Sequence, residues 1–236
     1  MRERLPLLLG LTLLSIAILL GAVAVGHGIR DRGKGDVVTV TGSAKQRITS
    51  DYAIWDLSVT SQQSQAAGAA AQLARWTKAI RAFLAAEGVR SDELTIQPAS
   101  TQTVNDDQNQ VLGYQVIRNF EIRSSRVQAI ASVAEASSKL VAADIPLQAQ
   151  PLQYVNTHLS ELRPKLLAQA VRDAQNRGKV LLAATGGSLG KLRGVDVGVF
   201  QVTSPNSTEV SDYGVYDTST LEKDVTAVVN VTFSLS

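Results

Sequence analysis

The 236-residue sequence contains no cysteine, two histidines and one methionine, and aromatic residues make up 5% of it. The lack of cysteine excludes disulfides, thiolate metal sites and a cysteine nucleophile, and it is compatible with any compartment. A strong charge of one sign is also missing, since the formal net charge is +2. Five basic and two acidic residues lie in the first 34 positions, so the remainder carries a net charge of −1. That remainder has no excess positive charge for nucleic acid.

One long apolar run is present near the beginning of the sequence. Leu5 to Gly26 is 22 residues long and carries no charge, which as a helix spans about 33 Å, close to the roughly 30 Å hydrocarbon core of a bilayer. We predict an uncleaved anchor over Leu5 to Val25, with a cytoplasmic stub at 1–4 and a charged, glycine-rich tether at 27–36. The alternative is a cleaved signal sequence, for which Ala22 to Ala24 supplies a small-residue cleavage site.

The rest of the sequence, residues 37–236, predicts one α+β domain of antiparallel sheet covered by three helices. The predicted order is β-β-α-β-β-α-β-α-β-β. In the second strand Trp55, Leu57 and Val59 alternate with polar residues, which is the pattern of a half-buried strand. The polar stretch Ser43–Asp51, which precedes this strand, is predicted as a turn.

The three helices are predicted from apolar residues at helical spacing. The first ends at Gly88, the second covers about Val127–Ala142, and the third covers about Ser160–Ala184 with Pro164 in its first turns, where a missing donor costs least. The expected buried stripe of the first helix is Ala66, Ala70, Leu73, Trp76, Ile80, Phe83 and Leu84, and that of the third is Leu162, Leu166, Ala170, Ala174 and Leu181.

The remaining strands carry weaker signals. Glu93–Val104 reads as a strand that Pro98 restricts to an edge or a bulge, and it forms a hairpin with Val111–Ser124 across the polar turn Asn105–Gln110. Ser204–Asp224 is predicted as a polar loop. The last strand, from Val225 onward, alternates almost perfectly between apolar and polar residues.

A search for catalytic and cofactor motifs finds none that holds. A Ser-His-Asp site would have to use His158, since His27 lies beside the apolar run, and no nucleophile elbow is visible. Thr185–Leu192 resembles a phosphate loop, but its glycine spacing is one residue short, Leu192 replaces Ser or Thr, and its glycines end a helix. We predict no catalytic residue and no cofactor.

Two further motifs have simpler interpretations. Asn105–Gln110 lacks the ligand series of an EF-hand loop and is predicted as a hairpin tip, so no metal site is predicted. Asn206 and Asn230 match the glycosylation pattern, which has a high false-positive rate. Tyr213 and Tyr216 are aromatic residues in a polar loop, and exposed aromatics often mark contact surfaces. They are the candidate inter-subunit contacts, against the simpler alternative of a mobile loop.

Several segments together resemble the SIMPL-domain family, which includes periplasmic immunogenic proteins. The resemblance rests on "VTVTGSAKQRITSDYAIWDLSV", "AIRAFLAAEGVRSDELTIQPAS", "GYQVIRNFEIR", "LAQAVRDAQNRGKVLLAATGGSLGKL" and "DVTAVVNVTFSLS", in this order. It covers about Val37 to Ser236. No single segment is sharp, and the specificity comes from five segments in the same order.

The resemblance implies a bacterial cell-envelope protein that assembles into ring-like oligomers and is linked to envelope or oxidative stress. It supplies no catalytic residues. We therefore expect a single-pass inner-membrane scaffold whose domain lies in the periplasm and forms a cyclic homo-oligomer, because closed rings satisfy every interface. The alternative function is a hydrolase or ligand-binding protein with a site at a subunit interface. The alternative location, if a signal is cleaved, is soluble in the periplasm or associated with the outer membrane.

Overall fold

The computed structural model describes residues 36–209 and 211–236. The strands are β1 (Val37–Thr49), β2 (Tyr52–Gln63), β3 (Leu94–Ile96), β4 (Ser100–Asn105), β5 (Val111–Ser124), β6 (Leu147–Ala149), β7 (Gln153–Val155), β8 (Leu189–Val197), β9 (Gln201–Thr203), β10 (Val215–Tyr216) and β11 (Glu222–Leu235). The helices are α1 (Ala66–Ala86), α2 (Val127–Ala136), α3 (Ser138–Ala142) and α4 (Leu159–Ala183). Two sheets and these helices confirm the predicted α+β class.

The predicted anchor, its stub and the tether up to residue 35 lie outside the described residues. Within the described ranges, none of the helices has the length and hydropathy needed to cross a bilayer. The predicted second helix is present as α2 and α3, which are separated at Ser137, whose hydroxyl donates to the carbonyl of Ala134 at 2.6 Å. The third helix lies within one residue of its predicted bounds and contains Pro164.

The described chain forms two compact units. The central unit comprises residues 45–166 and 199–227, and the terminal unit comprises the described residues up to Ala44 with 167–198 and 228–236. Strands β1 and β11 and helix α4 contribute residues to both.

The central unit contains a six-stranded sheet around β2 and β5. These two strands pair antiparallel from Ala53↔Ser124 to Gln63↔Tyr114, β3 and β4 pair with the far edge of β5, and β6 and β7 pair with the far edge of β2. The predicted apolar face of β2 is buried against α1 and α2. The largest core side chains are Trp55, Leu57, Phe120, Ile122, Leu73, Ile80, Leu84 and Ile130, and each contributes roughly 1.5–3 kcal/mol through burial.

Two predictions about the first strand and helix need correction, and a third is confirmed. The predicted turn Ser43–Asp51 is wrong, because β1 continues to Thr49 and leaves only Ser50 and Asp51 as the connection. The polar side chains of this stretch lie on a strand because they find charged partners elsewhere in the fold, as described below. On α1, Ala69 is buried in place of Ala70. Pro98 lies between the two short strands β3 and β4, at the sheet edge, as predicted.

The terminal unit packs part of α4 against three strands. β11 pairs antiparallel with β8, with Val229↔Val197, Val231↔Val195 and Phe233↔Leu192, and β1 lies on its other edge. Ala170 and Ala174 of α4 lie in the core with Val40 and the apolar face of β11. The helix approaches β1 closely, since a Cβ at Gly42 would lie 2.1 Å from the carbonyl oxygen of Ala170.

The predicted burial of Leu181 is wrong, because this side chain is exposed. The buried positions of α4 follow a spacing of four residues through Leu166, Ala170 and Ala174, and this spacing leads to Leu182, which is half-buried. Leu181 therefore points away from the strands.

Candidate functional site

The described residues of the predicted polar loop after β9, 204–209 and 211–224, form an ordered surface of the central unit. It contains the short strand β10, which pairs parallel with β9 through Val215↔Gln201 and Tyr216↔Val202. Backbone hydrogen bonds from Ser50 N–H to the carbonyl of Leu221 and from Tyr154 N–H to that of Thr218, both about 2.7–2.8 Å, fix its far side. The ordered conformation of this loop was not predicted from the sequence, because the loop is polar and its bonding partners lie far away along the chain.

Tyr213 and Tyr216 have different environments on this surface. The hydroxyl of Tyr216 accepts a hydrogen bond from Asn156 N–H at 3.4 Å, and its backbone belongs to β10. Tyr213 is 97% exposed and occupies a turn closed by Gly214 N–H, which donates to the carbonyl of Ser211 at 3.1 Å. Of the two candidate contact residues, Tyr213 projects freely and Tyr216 stabilises the loop. Their role between subunits stays a prediction.

A buried lysine lies at the base of the loop. Lys223 is fully buried, and its Nζ donates to the carbonyl of Thr220 at 2.7 Å and lies 3.4 Å from Asp217 Oδ2. Burial lowers the pKa of Lys223. Burial raises the pKa of Asp217. Hydrogen bonds from Ser219 and Thr220, together with the charge of Lys223, lower this pKa by a larger amount, so the net pKa is well below the usual range. This cluster holds the chain reversal before β11.

A second buried carboxylate follows directly in β11. The side chain of Asp224 is 2% exposed and receives Lys45 Nζ at 2.7 Å and Arg47 Nε at 2.9 Å. Asn206 N–H also donates to it, at 3.1 Å. The hydrogen bond from Arg47 is the main reason why the pKa of Asp224 lies well below its usual range. Sequence reasoning missed this cluster, although Lys45 and Arg47 share a strand face, a signal that predicts a common acidic partner.

His158 lies in an arrangement that resembles part of a catalytic triad. Its Nδ1 is 2.5 Å from Asp51 Oδ2, and the hydroxyl of Thr157 also donates to Asp51 at 2.7 Å. Burial raises the pKa of Asp51, but these hydrogen bonds outweigh it and the net shift is downward. The adjacent depression of about 190 Å³ is lined by Ile48, Asn156, His158, Glu161, Leu162 and Lys165, a described set without hydroxyl or thiol side chains. The geometry therefore pairs an imidazole with an orienting carboxylate, and the depression beside them offers no hydroxyl or thiol nucleophile among its lining residues.

The other predicted motifs have structural roles. Thr185–Leu192 ends α4, with Gly187 N–H donating to the carbonyl of Leu182 at 3.0 Å and Gly186 at a φ of 75°, as predicted. Asn105–Gln110 is a hairpin tip in which Asp106 accepts two backbone N–H bonds. Asn230 lies within β11 and accepts a hydrogen bond from the hydroxyl of Thr41 at 2.7 Å. Residues 36–209 and 211–236 contain no cluster of three or more side chains suited to a metal ion.

These observations define an α+β protein with two sheets and an ordered polar loop. The sequence model of the SIMPL family, described as a protein of unknown function (DUF541), matches residues 38–233. The chain belongs to the SIMPL family. This confirms the resemblance drawn from the five segments.

Other comparisons give little beyond this. No curated protein matches the sequence. Among solved structures, the chain is similar to the de novo designed protein Foldit4 (12% identity, 42% of this chain and 93% of that chain, TM-score 0.27). It is also similar to hydantoinase/carbamoylase family amidases from Burkholderia ambifaria (15% identity, 52% of this chain, TM-score 0.26) and Burkholderia phymatum (11%, 55%, 0.27). The chain spans 34% of each amidase. At these TM-scores the similarities carry no argument about function.

Proposed function

We propose that the protein is a membrane-anchored scaffold of the bacterial cell envelope that assembles into a cyclic homo-oligomer and has no catalytic site of its own. The observation that carries this proposal is the open edge of β8 in the terminal unit. Within the described residues β8 pairs only with β11, so its outer edge presents unpaired backbone groups that can pair with another chain.

The side chains of β8 strengthen this interpretation. Leu192, Val195 and Val197 lie opposite Phe233, Val231 and Val229 in register, so they point to the same side of the sheet as that buried face. They remain 54%, 42% and 51% exposed. An edge strand with an exposed apolar face is a liability in an isolated monomer. A second copy of the chain, equal in structure and present at high local concentration on a membrane, would cover it.

One end of the terminal unit supports the proposed attachment to a membrane. It is the end that contains Asp36, the first described residue. The backbone carbonyl of Asp36 accepts a hydrogen bond from Leu235 N–H at 2.8 Å. The end of α4 and the start of β8 lie at this same end, as the backbone hydrogen bonds between Ser188 and Ser236 show. The exposed aliphatic residues here are Val37, Val180, Leu181, Leu192 and Leu235. The apolar run of Leu5 to Gly26 is joined to this end by only nine residues, which span about 30 Å at most.

The assembly is tested on the full-length protein in mild detergent by light scattering and native mass spectrometry. We expect a closed oligomer for the natural sequence and monomers for the double variant Val195→Lys, Val197→Lys, because two lysines on an edge oppose strand pairing. Val111→Lys is the matched control, since Val111 is a comparably exposed strand valine outside the terminal unit. A monomeric natural protein would refute the scaffold proposal, and an assembled lysine variant would exclude the β8 edge as the contact.

The contribution of the loop is tested separately by Tyr213→Ala. If the Tyr213 ring contacts a neighbouring subunit, the oligomer of the Tyr213→Ala variant will dissociate at a higher protein concentration than the oligomer of the natural protein does. Tyr216→Phe serves as the control because it removes only a hydroxyl that accepts one internal hydrogen bond. Equal stability of all three assemblies would remove Tyr213 from the interface.

The proposed location is tested with single cysteines, which are unambiguous because the chain has none of its own. An inner-membrane anchor with a periplasmic domain predicts that Asp107→Cys, at the exposed hairpin tip, reacts with an impermeant maleimide in cells whose outer membrane is opened. Arg4→Cys should react only after the inner membrane is also disrupted. Intact mass spectrometry of the purified protein distinguishes a retained anchor from a cleaved signal sequence.

The alternative function, a hydrolase completed at a subunit interface, is favoured by one observation. His158 and Asp51 form an oriented pair beside a depression whose described lining has no hydroxyl or thiol side chain, and a neighbouring subunit could supply a nucleophile there. The test is reaction of the assembled protein with fluorophosphonate and β-lactone probes, with His158→Ala as the control. Labelling that requires both His158 and assembly would support the enzyme over the scaffold.

A further inference from the structure

An arginine occupies a core-facing position in the sheet of the central unit. Arg118 lies in β5 in alternation with Val116, Phe120 and Ile122, all of which are buried. Its cross-strand partner is Val59, which is fully buried. The register therefore directs Arg118 to the side of the sheet that packs against α1. An apolar residue would fit this pattern, and a charge at such a position calls for a specific reason.

Helix α1 places further cations over the same point. Lys78 and Arg81, three residues apart and therefore on one helix face, line a depression of about 300 Å³ together with Ala74, Thr77 and Arg118. The whole helix from Ala66 to Ala86 contains no acidic residue. In the part of the chain that the structure describes, none of the three cations forms an ion pair.

Two polar atoms of this depression are buried without a partner. Arg118 Nε and Thr77 Oγ1 accept or donate no hydrogen bond within the described residues, and the remaining bond of the guanidinium is a long one, from Nη1 to the carbonyl of Gln97 at 3.4 Å. A buried donor without a partner is destabilising, and three clustered positive charges repel one another. An oxyanion in the depression would remove the repulsion, and rotation of the Arg118 and Thr77 side chains toward it would give both atoms a partner.

We propose that this depression binds a phosphate group, either as inorganic phosphate or as a phosphomonoester. Arg118 supplies the fork of N–H donors that matches a phosphate oxygen pair, Lys78 and Arg81 supply the balancing charge, and the hydroxyl of Thr77 donates to a further oxygen. Three cations match a doubly charged group with one excess positive charge. The volume holds a phosphate with a small attached moiety. The site is independent of the proposed scaffold role.

The test is a thermal-shift and calorimetric titration of the full-length protein in mild detergent. Inorganic phosphate and glycerol phosphate are added at constant ionic strength, with chloride as the reference anion. We expect saturable binding and a rise in Tm for the natural protein. Arg118→Met should weaken binding at least tenfold, because charge-assisted hydrogen bonds contribute about 1.5–3 kcal/mol each, and so should the double variant Lys78→Met, Arg81→Met.

Arg75→Met is the matched control. Arg75 lies on the same helix, is exposed, and bonds Gln72 instead of lining the depression, so its removal should leave phosphate binding unchanged. The double variant changes only exposed helix residues and therefore tests the site even if Arg118→Met fails to fold. Equal loss of binding in Arg75→Met would indicate general electrostatic attraction and overturn the proposal, as would a phosphate response no larger than that of chloride.

A further arm identifies the source of the phosphate group. Protein in nanodiscs of phosphatidic acid is compared with protein in nanodiscs of phosphatidylcholine, each with and without glycerol phosphate. If the lipid headgroup occupies the site, phosphatidic acid raises Tm in the natural protein but not in Arg118→Met, and glycerol phosphate adds nothing. If the ligand is soluble, glycerol phosphate raises Tm equally in both lipids.

Discussion

Two groups of cationic side chains in the central unit consist of the same residue types, lysine and arginine, but only one of them has an acidic partner. Lys45 and Arg47 converge on the buried carboxylate of Asp224, at 2.7 and 2.9 Å. Lys78, Arg81 and Arg118 converge on a depression without an acidic lining residue. The first group, called the matched group, consists of Lys45 and Arg47 with Asp224, and it stabilises the fold. The second, called the unmatched group, consists of Lys78, Arg81 and Arg118, and it destabilises the fold until an anion is bound. A cation cluster therefore indicates a ligand only when the fold itself provides no counter-charge.

The largest expected effect is the loss of the shared carboxylate in the matched group. Asp224→Ala should lower the free energy of unfolding by about 2–3 kcal/mol, because it removes charge-assisted hydrogen bonds from a buried position. The measurement is urea unfolding followed by circular dichroism. Asp107→Ala, an exposed acid at the hairpin tip, should change stability by less than about 0.5 kcal/mol. Equal effects of the two substitutions would show that the matched group contributes nothing.

A second ion pair, between Glu93 and Arg126, makes the stability of the fold depend on pH in the acidic range. The hydrogen bond from Arg126 Nε, at 2.9 Å, lowers the pKa of Glu93 from 4.5 to about 2. Because the folded pKa is depressed, the stabilisation is complete above pH 4.5 and is lost as pH falls toward 2. Thermal melts between pH 6 and 2 should therefore show a smaller decline for Glu93→Gln than for the natural protein. Parallel declines would contradict the assignment.

The direct comparison of the two groups uses one substitution in each. Arg47→Met should lower Tm, by less than Asp224→Ala does, since Lys45 remains. Arg118→Met in phosphate-free buffer should leave the free energy of unfolding within about 0.5 kcal/mol of the natural value or raise it, because it removes a half-buried charge that has no carboxylate partner among the described residues. A loss of stability in Arg118→Met as large as in Arg47→Met would erase the distinction between the groups.

The smallest expected effect is that of salt. Raising sodium chloride from 0.05 to 0.5 M screens repulsion in the unmatched group and should stabilise it by a few tenths of a kcal/mol. Lys78→Met, Arg81→Met should gain less from the same change. The readout is the difference in Tm between the two proteins at each salt concentration, and a constant difference would argue against repulsion.

Local patterns predicted the framework of the fold because burial alone decides it. The alternation through Trp55, Leu57 and Val59 gave the position and inner face of β2, and helical spacing placed α1 and α4. The same patterns failed at Arg47 and Ser204–Asp224, where polar residues are held by partners far away in sequence. The role of Arg118 was not predicted, because this residue lies between Val116 and Phe120 in a strand whose alternating pattern indicated only burial. The spacing of Lys45 and Arg47 signals a shared partner, but Asp224 as that partner, and Arg118 beside Lys78 and Arg81, emerge only from the pairing and packing of distant segments.

Both tyrosines illustrate the same limit. Composition predicted that Tyr213 and Tyr216 lie at the surface, and both are exposed. Only the pairing of β10 with β9 shows that the second is part of the framework. Of the two, only Tyr213 is therefore free to form the predicted inter-subunit contact.

The contact between Gly42 and α4 sets the mutational tolerance of the terminal unit. A Cβ at this position would meet the backbone oxygen of Ala170 at 2.1 Å and the backbone nitrogen of Ala174 at 2.5 Å, and backbone atoms cannot rotate away as a side chain can. Gly88 differs, because its φ of 87° favours glycine while its surroundings are open, so asparagine is also accommodated there. A saturation library selected for folding should therefore return glycine alone at position 42 and a small set of residues at position 88.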